Sequence, residues 1–292
     1  MTIDILRGIA HLVENSNFQM ASSGGVSGGD SVPKGKAFEV YCKDWLSTLR
    51  PGDVSNRNNH YDHAFSYQGA ANNPPDVMYR GGDSGDAFEF KKYENAQPSL
   101  ALNSSYPKDE LHINSPGINK NCMEAEKWQK RSFYYIVGHV PKGSERVLSL
   151  WVVDGKLLAA SSSFYSNNFQ NLKNSVDSFV REHQLKSISS KELGRIHEID
   201  PCDRTTLRVR SMWELMHPAK AFERLDGVKK AKEGNSVLHA LILNSNWNRY
   251  SHSGRDALLR LRDVGRIQIT DINAPNPNGG DPVSSKLVRF EA

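Results

Sequence analysis

The sequence has only three cysteines, Cys42, Cys122 and Cys202, far apart and without a CxxC or nearby CxxH pair. That argues against a disulfide framework and a structural zinc site, and leaves buried free thiols as the simplest reading. A long apolar run is also missing. Residues Met1 to Val13 carry no basic stretch, and Arg7 and His11 interrupt their apolar positions, so they read as neither a signal peptide nor a spanning helix. A cytoplasmic protein is therefore expected. No charge of one sign dominates: 37 Lys+Arg against 33 Asp+Glu leave +4 at pH 7. What is present is ordinary for a globular chain: 292 residues, 38% hydrophobic, which excludes disordered and fibrous classes and suits one large domain or two small ones. The small charge excess is not spread evenly. Residues 1 to 190 hold 20 basic and 20 acidic side chains, residues 191 to 292 hold 17 and 13. The C-terminal third is thus the candidate face for an anionic partner, with a plain solvated surface as the alternative.

Along the chain, Ile5, Ile9, Leu12 and Val13 recur at helical spacing and predict a first helix over Asp4 to Glu14. Residues 21 to 34 are Gly/Ser-rich at their start and read as a flexible loop. From Gly35 to Leu49, Phe38, Tyr41, Cys42, Trp45, Leu46 and Leu49 trace one helical stripe, with Glu39 at its border. Residues 74 to 92 read as two short strands around a turn at Gly81, Gly82, Asp83 and Gly85. Strand-length apolar runs follow at 133 to 140 and 147 to 155, then a helix from Phe164 to Val180 and a strand over 205 to 212. Helical pieces are expected near 219 to 226, 236 to 243 and 255 to 262, and RIQITDI and KLVRF read as a last strand pair. The mixture, without internal repeats, predicts an α/β (α+β) fold with a central mixed β-sheet flanked by helices. In outline this is a single domain over 1 to 292, with a catalytic core at about 35 to 160 and a basic recognition portion at about 190 to 292.

The chemistry concentrates in PPDVMYRGGDSGDAFEFKK. Alternation along a strand puts Ala87, Glu89 and Lys91 on one face of AFEFKK and Phe88 and Phe90 on the other. Hairpin pairing would bring Asp76 near Glu89. Asp76, Glu89 and Lys91 then form the PD...ExK arrangement of metal-dependent nucleases, with Mg²⁺ held by Asp76, Glu89 and the backbone carbonyl of Phe90. Two carboxylates at close range repel, so without metal one of them should be harder to ionise. Lys91 can orient or deprotonate a water and contact a phosphate. Glu39, if its helix packs on the hairpin, could be a further ligand. By itself the pattern should arise by chance in on the order of one chain in ten this long. Its placement on two strands joined by a Gly-rich turn is what raises it above a solvated hairpin face.

A second group lies in TTLRVRSMW, where Arg208 and Arg210 share a strand face about 7 Å apart. Two guanidiniums so spaced suit neighbouring guanines in a major groove, or are simply paired surface arginines. The polar run Asn103, Ser104, Ser105, Tyr106, followed by Lys108, could donate to phosphates or base edges, or serve as a cap or turn. His60 and His63 have metal-like spacing but no third ligand follows, and they read as loop residues.

Taken together, NNPPD (72 to 76), EFKK (89 to 92), ALNSSYPK (101 to 108), ELGRI (192 to 196) and LRVRSMW (207 to 213) resemble the NgoPII group of type II restriction endonucleases. The resemblance runs in order from about Gly35 to Phe222. It implies Mg²⁺-dependent cleavage of double-stranded DNA at a short palindrome built on GG and CC, by a PD-(D/E)xK core with Asp76, Glu89 and Lys91 as the catalytic set and Glu39 as a helper. Arg208, Arg210, Arg195, Lys108 and the Asn103 to Ser105 loop are the expected DNA contacts. A palindrome favours a C2 homodimer. Neither a nucleotide cofactor nor a membrane partner is expected. A repair or recombination nuclease that reads DNA structure, and a non-catalytic DNA-binding protein, are the competing readings.

Overall fold

The computed structural model describes residues 3–20, 34–69, 73–95, 99–102, 105–202 and 204–292. Most of the expected 21–34 loop, and Asn103 and Ser104, lie outside the described residues. The chain opens with α1 (Ile5–Asn15), whose first turn is capped by Asp4 accepting from the Arg7 N–H, and α2 (Lys34–Leu46). After α3 (Arg57–Ala64) come strands β1 (Phe65–Gln68), β2 (Val77–Tyr79), β3 (Ala87–Tyr93), β4 (Lys130–His139) and β5 (Ser149–Asp154). The long α4 (Ser162–Glu182) precedes three short strands, β6 (Lys186–Ser187), β7 (Gly194–His197) and β8 (Leu207–Val209). The chain then supplies β9 (Val237–Leu243), α5 (Asn244–Arg249), α6 (His252–Asp263), β10 (Gln268–Ala274) and β11 (Val283–Glu291).

The main sheet runs β1-β2-β3-β4-β5-β9-β11-β10, with the short strand Glu110–His112 added antiparallel to β4. Pairing is parallel for β3 with β4 and for β5 with β9, and antiparallel elsewhere, so the sheet is mixed as expected. Side-chain alternation feeds two apolar layers. Phe88, Phe90, Tyr134, Ile136, Val152, Leu238, Ala240 and Ile242 point to the layer under α1, α2 and α6. Ala87, Phe133, Tyr135, Val137, Trp151, Val153, Leu241 and Leu243 point to the other. Each such side chain, fully buried, is worth about 1.5–3 kcal/mol for the larger residues, which is why the central strands tolerate no exposed face.

This double burial overturns one expectation. Residues 236 to 243, expected to be helical, form β9, a central strand with all seven residues buried. A strand covered on both faces loses its polar alternation, and a continuous apolar run then looks the same as a buried helix. Two further expectations contract: the strand over 205 to 212 spans only Leu207–Val209, and the piece near 219 to 226 is helical only over Pro218–Ala221. His60 and His63 sit on α3 and not in a loop. The portion assigned to recognition divides. Its part up to Val209 contributes to the small sheet β8-β7-β6, whereas β9, β10 and β11 complete the central sheet.

A buried polar cluster ties the turn before β3 to the C-terminal half. Asp86 accepts from Tyr250 Oη at 2.8 Å and Arg249 Nη2 at 3.0 Å, and Tyr250 meets Tyr134 Oη at 2.6 Å. Burial pushes the Asp86 carboxyl up to about 7, against the pull of Arg249. Burial likewise pushes Asp154, which accepts from Asn246, up to about 6.

Candidate active site

Gly81 and Gly82, at φ 135° and 57°, make the turn that folds β3 back on β2, a conformation open to glycine without a Cβ penalty. The register pairs Val77 with Phe88 and Met78 with Ala87. One step further, the Asp76 N–H donates to the Phe88 carbonyl at 2.8 Å, so Asp76 faces Glu89 across the pair, as the sequence led one to expect. Asp76 Oδ2 in turn accepts the Phe90 N–H at 2.6 Å. Phe88 and Phe90 enter the first core, which turns Glu89 and Lys91 the other way.

Glu89 is only 8% exposed. Its Oε1 accepts from Lys91 Nζ at 2.7 Å, while its Oε2 is buried with no hydrogen-bond partner among the described residues. Burial, then repulsion from Glu89, raises the Asp76 carboxyl well above the usual carboxylate range, although the Phe90 N–H and Lys91 pull it back. Burial alone would lower the Lys91 ammonium, but the charge and hydrogen bond of Glu89, with Asp76, hold it above its ordinary value. Lys91 therefore stands protonated between two acids. These residues line a cleft of about 270 Å³ together with Glu39, Asn73, Pro74 and Ser105.

Glu39 reaches this cleft because α2 lies flat on the sheet: the Phe38 ring sits so tightly over Gly138 of β4 that no Cβ would fit there. Its Oε1 is engaged by Lys43 Nζ at 3.0 Å, one helical turn away. Among the described residues, no group of three or more His, Cys, Asp or Glu side chains is placed to hold a metal ion. The two-carboxylate pair with an orphaned, buried oxygen is nevertheless the donor chemistry that a hard divalent cation takes, with main-chain oxygen and water completing its shell.

Ser105 stands at the edge of the cleft, 8% exposed, its Oγ donating to the Gly117 carbonyl at 3.2 Å. Lys108 requires a correction. Expected as a contact to DNA phosphates or base edges, it is 1% exposed, its Nζ donates to the Pro116 carbonyl at 2.9 Å and lies 4.5 Å from the Tyr106 ring centre. Burial lowers its ammonium to about 8. An ammonium so enclosed is not presented to a phosphate.

A larger groove of about 870 Å³ shares Ser105 with the cleft and is lined by Tyr106, Phe169, Gln170, Lys173 and Arg210 among others. Arg208 and Arg195 are opposite each other in the β8–β7 register, so they share one face of the small sheet. Arg208 Nε and Arg210 Nε donate to Glu192 at 3.0 and 2.7 Å, and these two arginines hold the Glu192 carboxyl down at about 2. Gln170 and Lys173 escaped the sequence reading. The three-residue spacing that sets them beside Phe169 on one helix was visible, but nothing local said that a groove lay there.

A mixed sheet carrying Asp76, Glu89 and Lys91 on adjacent strands at the mouth of a cleft is consistent with a restriction-endonuclease-like core. The model of the NgoPII restriction endonuclease family matches residues 3–275, and the chain belongs to that family. The type II restriction enzyme NgoPII of Neisseria gonorrhoeae is 35% identical over 257 residues, covering 88% of this chain and 88% of that protein. No solved structure matches the chain. Membership makes it a type II site-specific deoxyribonuclease, a class that generally uses divalent metal ions. Among the described residues no helix is long and apolar enough to cross a membrane.

Proposed function

We propose that the protein hydrolyses both strands of double-stranded DNA at a short palindrome built on GG and CC, in the cytoplasm, as a C2 homodimer with Mg²⁺ as cofactor. The observation that carries this reading is the opposed Asp76–Glu89 pair with the Lys91 ammonium 2.7 Å from Glu89 Oε1. Asp76, Glu89 and the backbone carbonyl of Phe90 would hold the ion. Bound there, Mg²⁺ supplies stabilisation of phosphate charge and a more acidic water. Lys91, protonated beside the pair, donates to the scissile phosphate and orients the attacking water. Its charged state favours this role over that of a base. Glu39, held by Lys43, borders the site and can accept from a water there.

Recognition falls to Arg208 and Arg195 on the small sheet and Arg210 just after it, together with Asn103, Ser104 and Ser105, of which Ser105 stands at the edge of the cleft. In the free protein Glu192 keeps the Arg208 and Arg210 guanidiniums together and oriented, and on DNA they exchange this carboxylate for base edges. Arg208→Ala is expected to lose about 1–3 kcal/mol of discrimination, so cognate binding in Ca²⁺ weakens roughly 5- to 150-fold while binding to unrelated duplex barely changes. An equal loss on both duplexes would make Arg208 a phosphate contact.

The deciding experiment is digestion of a plasmid of known sequence in Mg²⁺ and in EDTA, followed by sequencing of the fragment ends. Discrete fragments only with Mg²⁺, sharing a GG/CC palindrome, are expected. Intact DNA in Mg²⁺, or fragments with unrelated ends, would overturn the reading.

A further inference from the structure

We propose that α4 is the twofold interface between two copies of this chain. The proposal rests on the homodimer of the reading above and says where its axis lies. Only Val180 of the helix's 21 residues is buried. Phe164, Leu172 and Phe179 are 60, 56 and 51% exposed. They lie eight and seven residues apart, two helical turns in each case, and so form one stripe along a single side of the helix. A row of large apolar side chains over four turns is more than the scattered exposure normal for a monomer.

The stripe fits a second copy of itself. Phe164 and Phe179 lie almost symmetrically about Leu172, so an antiparallel pairing of two α4 helices places Leu172 on the axis and Phe164 against Phe179 of the partner subunit. That is the self-complementarity an isologous C2 contact demands. Charge agrees as well. The residues between the apolar positions on this side, Asn168 and Ser175, are neutral, so no like charges meet at the centre. At the ends the same operation brings Glu182 against the first turn of the opposing helix, where the N-cap Ser161 makes no side-chain cap hydrogen bond. A carboxylate there meets the positive end of a helix dipole.

The placement also suits the DNA. Phe169, Gln170 and Lys173, on another side of α4, line the 870 Å³ groove that joins the catalytic cleft at Ser105. Pairing through the apolar stripe sets the two grooves on either side of the axis, matching a palindrome whose half-sites are related by the same symmetry.

The test is the mass of the full chain by sedimentation velocity or light scattering at micromolar concentration. Wild type is expected at twice 32.7 kDa, and the Leu172→Glu/Phe179→Glu variant at half the wild-type mass with an unchanged circular dichroism spectrum. A wild-type monomer, or a folded double variant that stays dimeric, overturns the proposal. Should the double variant fail to fold, Leu172→Cys in a Cys202→Ser background decides: a dimer linked through residues on its axis is trapped by oxidation as a disulfide-linked pair, and a dimer that cannot be trapped places the interface elsewhere. The nuclease reading fails separately. If wild type is a dimer that cuts no DNA in Mg²⁺, the interface stands and the catalytic assignment falls. If the monomeric variant nicks supercoiled plasmid but no longer linearises it, both hold.

Discussion

Lys91→Ala is expected to lower single-turnover DNA cleavage in Mg²⁺ by about 10²–10³-fold while leaving binding in Ca²⁺ within a few-fold of wild type. The reasoning starts from the two acids. Lys91 Nζ is 2.7 Å from Glu89 Oε1, and the other oxygen of that carboxylate is buried without a partner among the described residues. Asp76 and Glu89 together raise the Lys91 ammonium, so in the proposed role it meets the phosphate charged. Alanine removes the donor that meets charge developing on the phosphate, but it does not remove the carboxylates that hold a cation, so duplex affinity in Ca²⁺ survives. Lys91→Arg is not a rescue: a planar fork cannot occupy the place of a compact ammonium in a cleft of this size. Cleavage unchanged in Lys91→Ala would remove Lys91 from the catalytic set and return the hairpin to a structural role.

Asp76→Asn is expected to abolish cleavage and, at the same time, to make the metal-free protein more stable at neutral pH. Asp76 is raised well above the usual carboxylate range, mainly by burial and then by Glu89. A carboxyl raised on folding binds its proton more tightly in the native state, so its contribution is fully present below the unfolded value near pH 4. It is lost as pH rises through the folded value. In EDTA the melting temperature of wild type should therefore fall as pH rises above the unfolded value near 4. Asp86 and Asp154, raised to about 7 and about 6 by burial, act in the same direction, so the variant keeps part of the slope. The difference between the two curves is Asp76. A divalent ion at 10 to 100 times its dissociation constant stabilises the native state by about 1.4–2.7 kcal/mol, or roughly 2–4 °C for a chain of this size. Ca²⁺ should give that rise in wild type at pH 7.5 and little of it in Asp76→Asn. Equal rises in both would place the cation away from Asp76.

These two expectations come from a part of the molecule where local rules decide the geometry. In AFEFKK the period of two separates Glu89 and Lys91 from Phe88 and Phe90 whatever the rest of the chain does, and the Gly81–Gly82 turn returns the strand so that Asp76 meets Glu89. The first helix, the helix of α4 and the last strand pair were legible for the same reason: each carries its own periodicity and its own turn residues.

What required the whole chain is of another kind. VLHALIL became a strand because β5 and β11 flank it and apolar layers cover both its faces, none of which its own seven residues express. Glu39 reaches the cleft through Phe38 lying on Gly138, a contact spanning a hundred positions. Lys108 turned inward because the Pro116 carbonyl and the Tyr106 ring enclose its ammonium, and Arg208 and Arg210 found a shared partner in Glu192 only once β8 had paired with β7. By itself the sequence determined the family and the hairpin geometry that brings Asp76 and Glu89 together, since both rest on residue types at short, regular spacing. Tertiary structure alone decided which charged side chains stay exposed and which are buried or paired inside the protein, because desolvation and ion pairing depend on neighbours that the chain brings together from far apart.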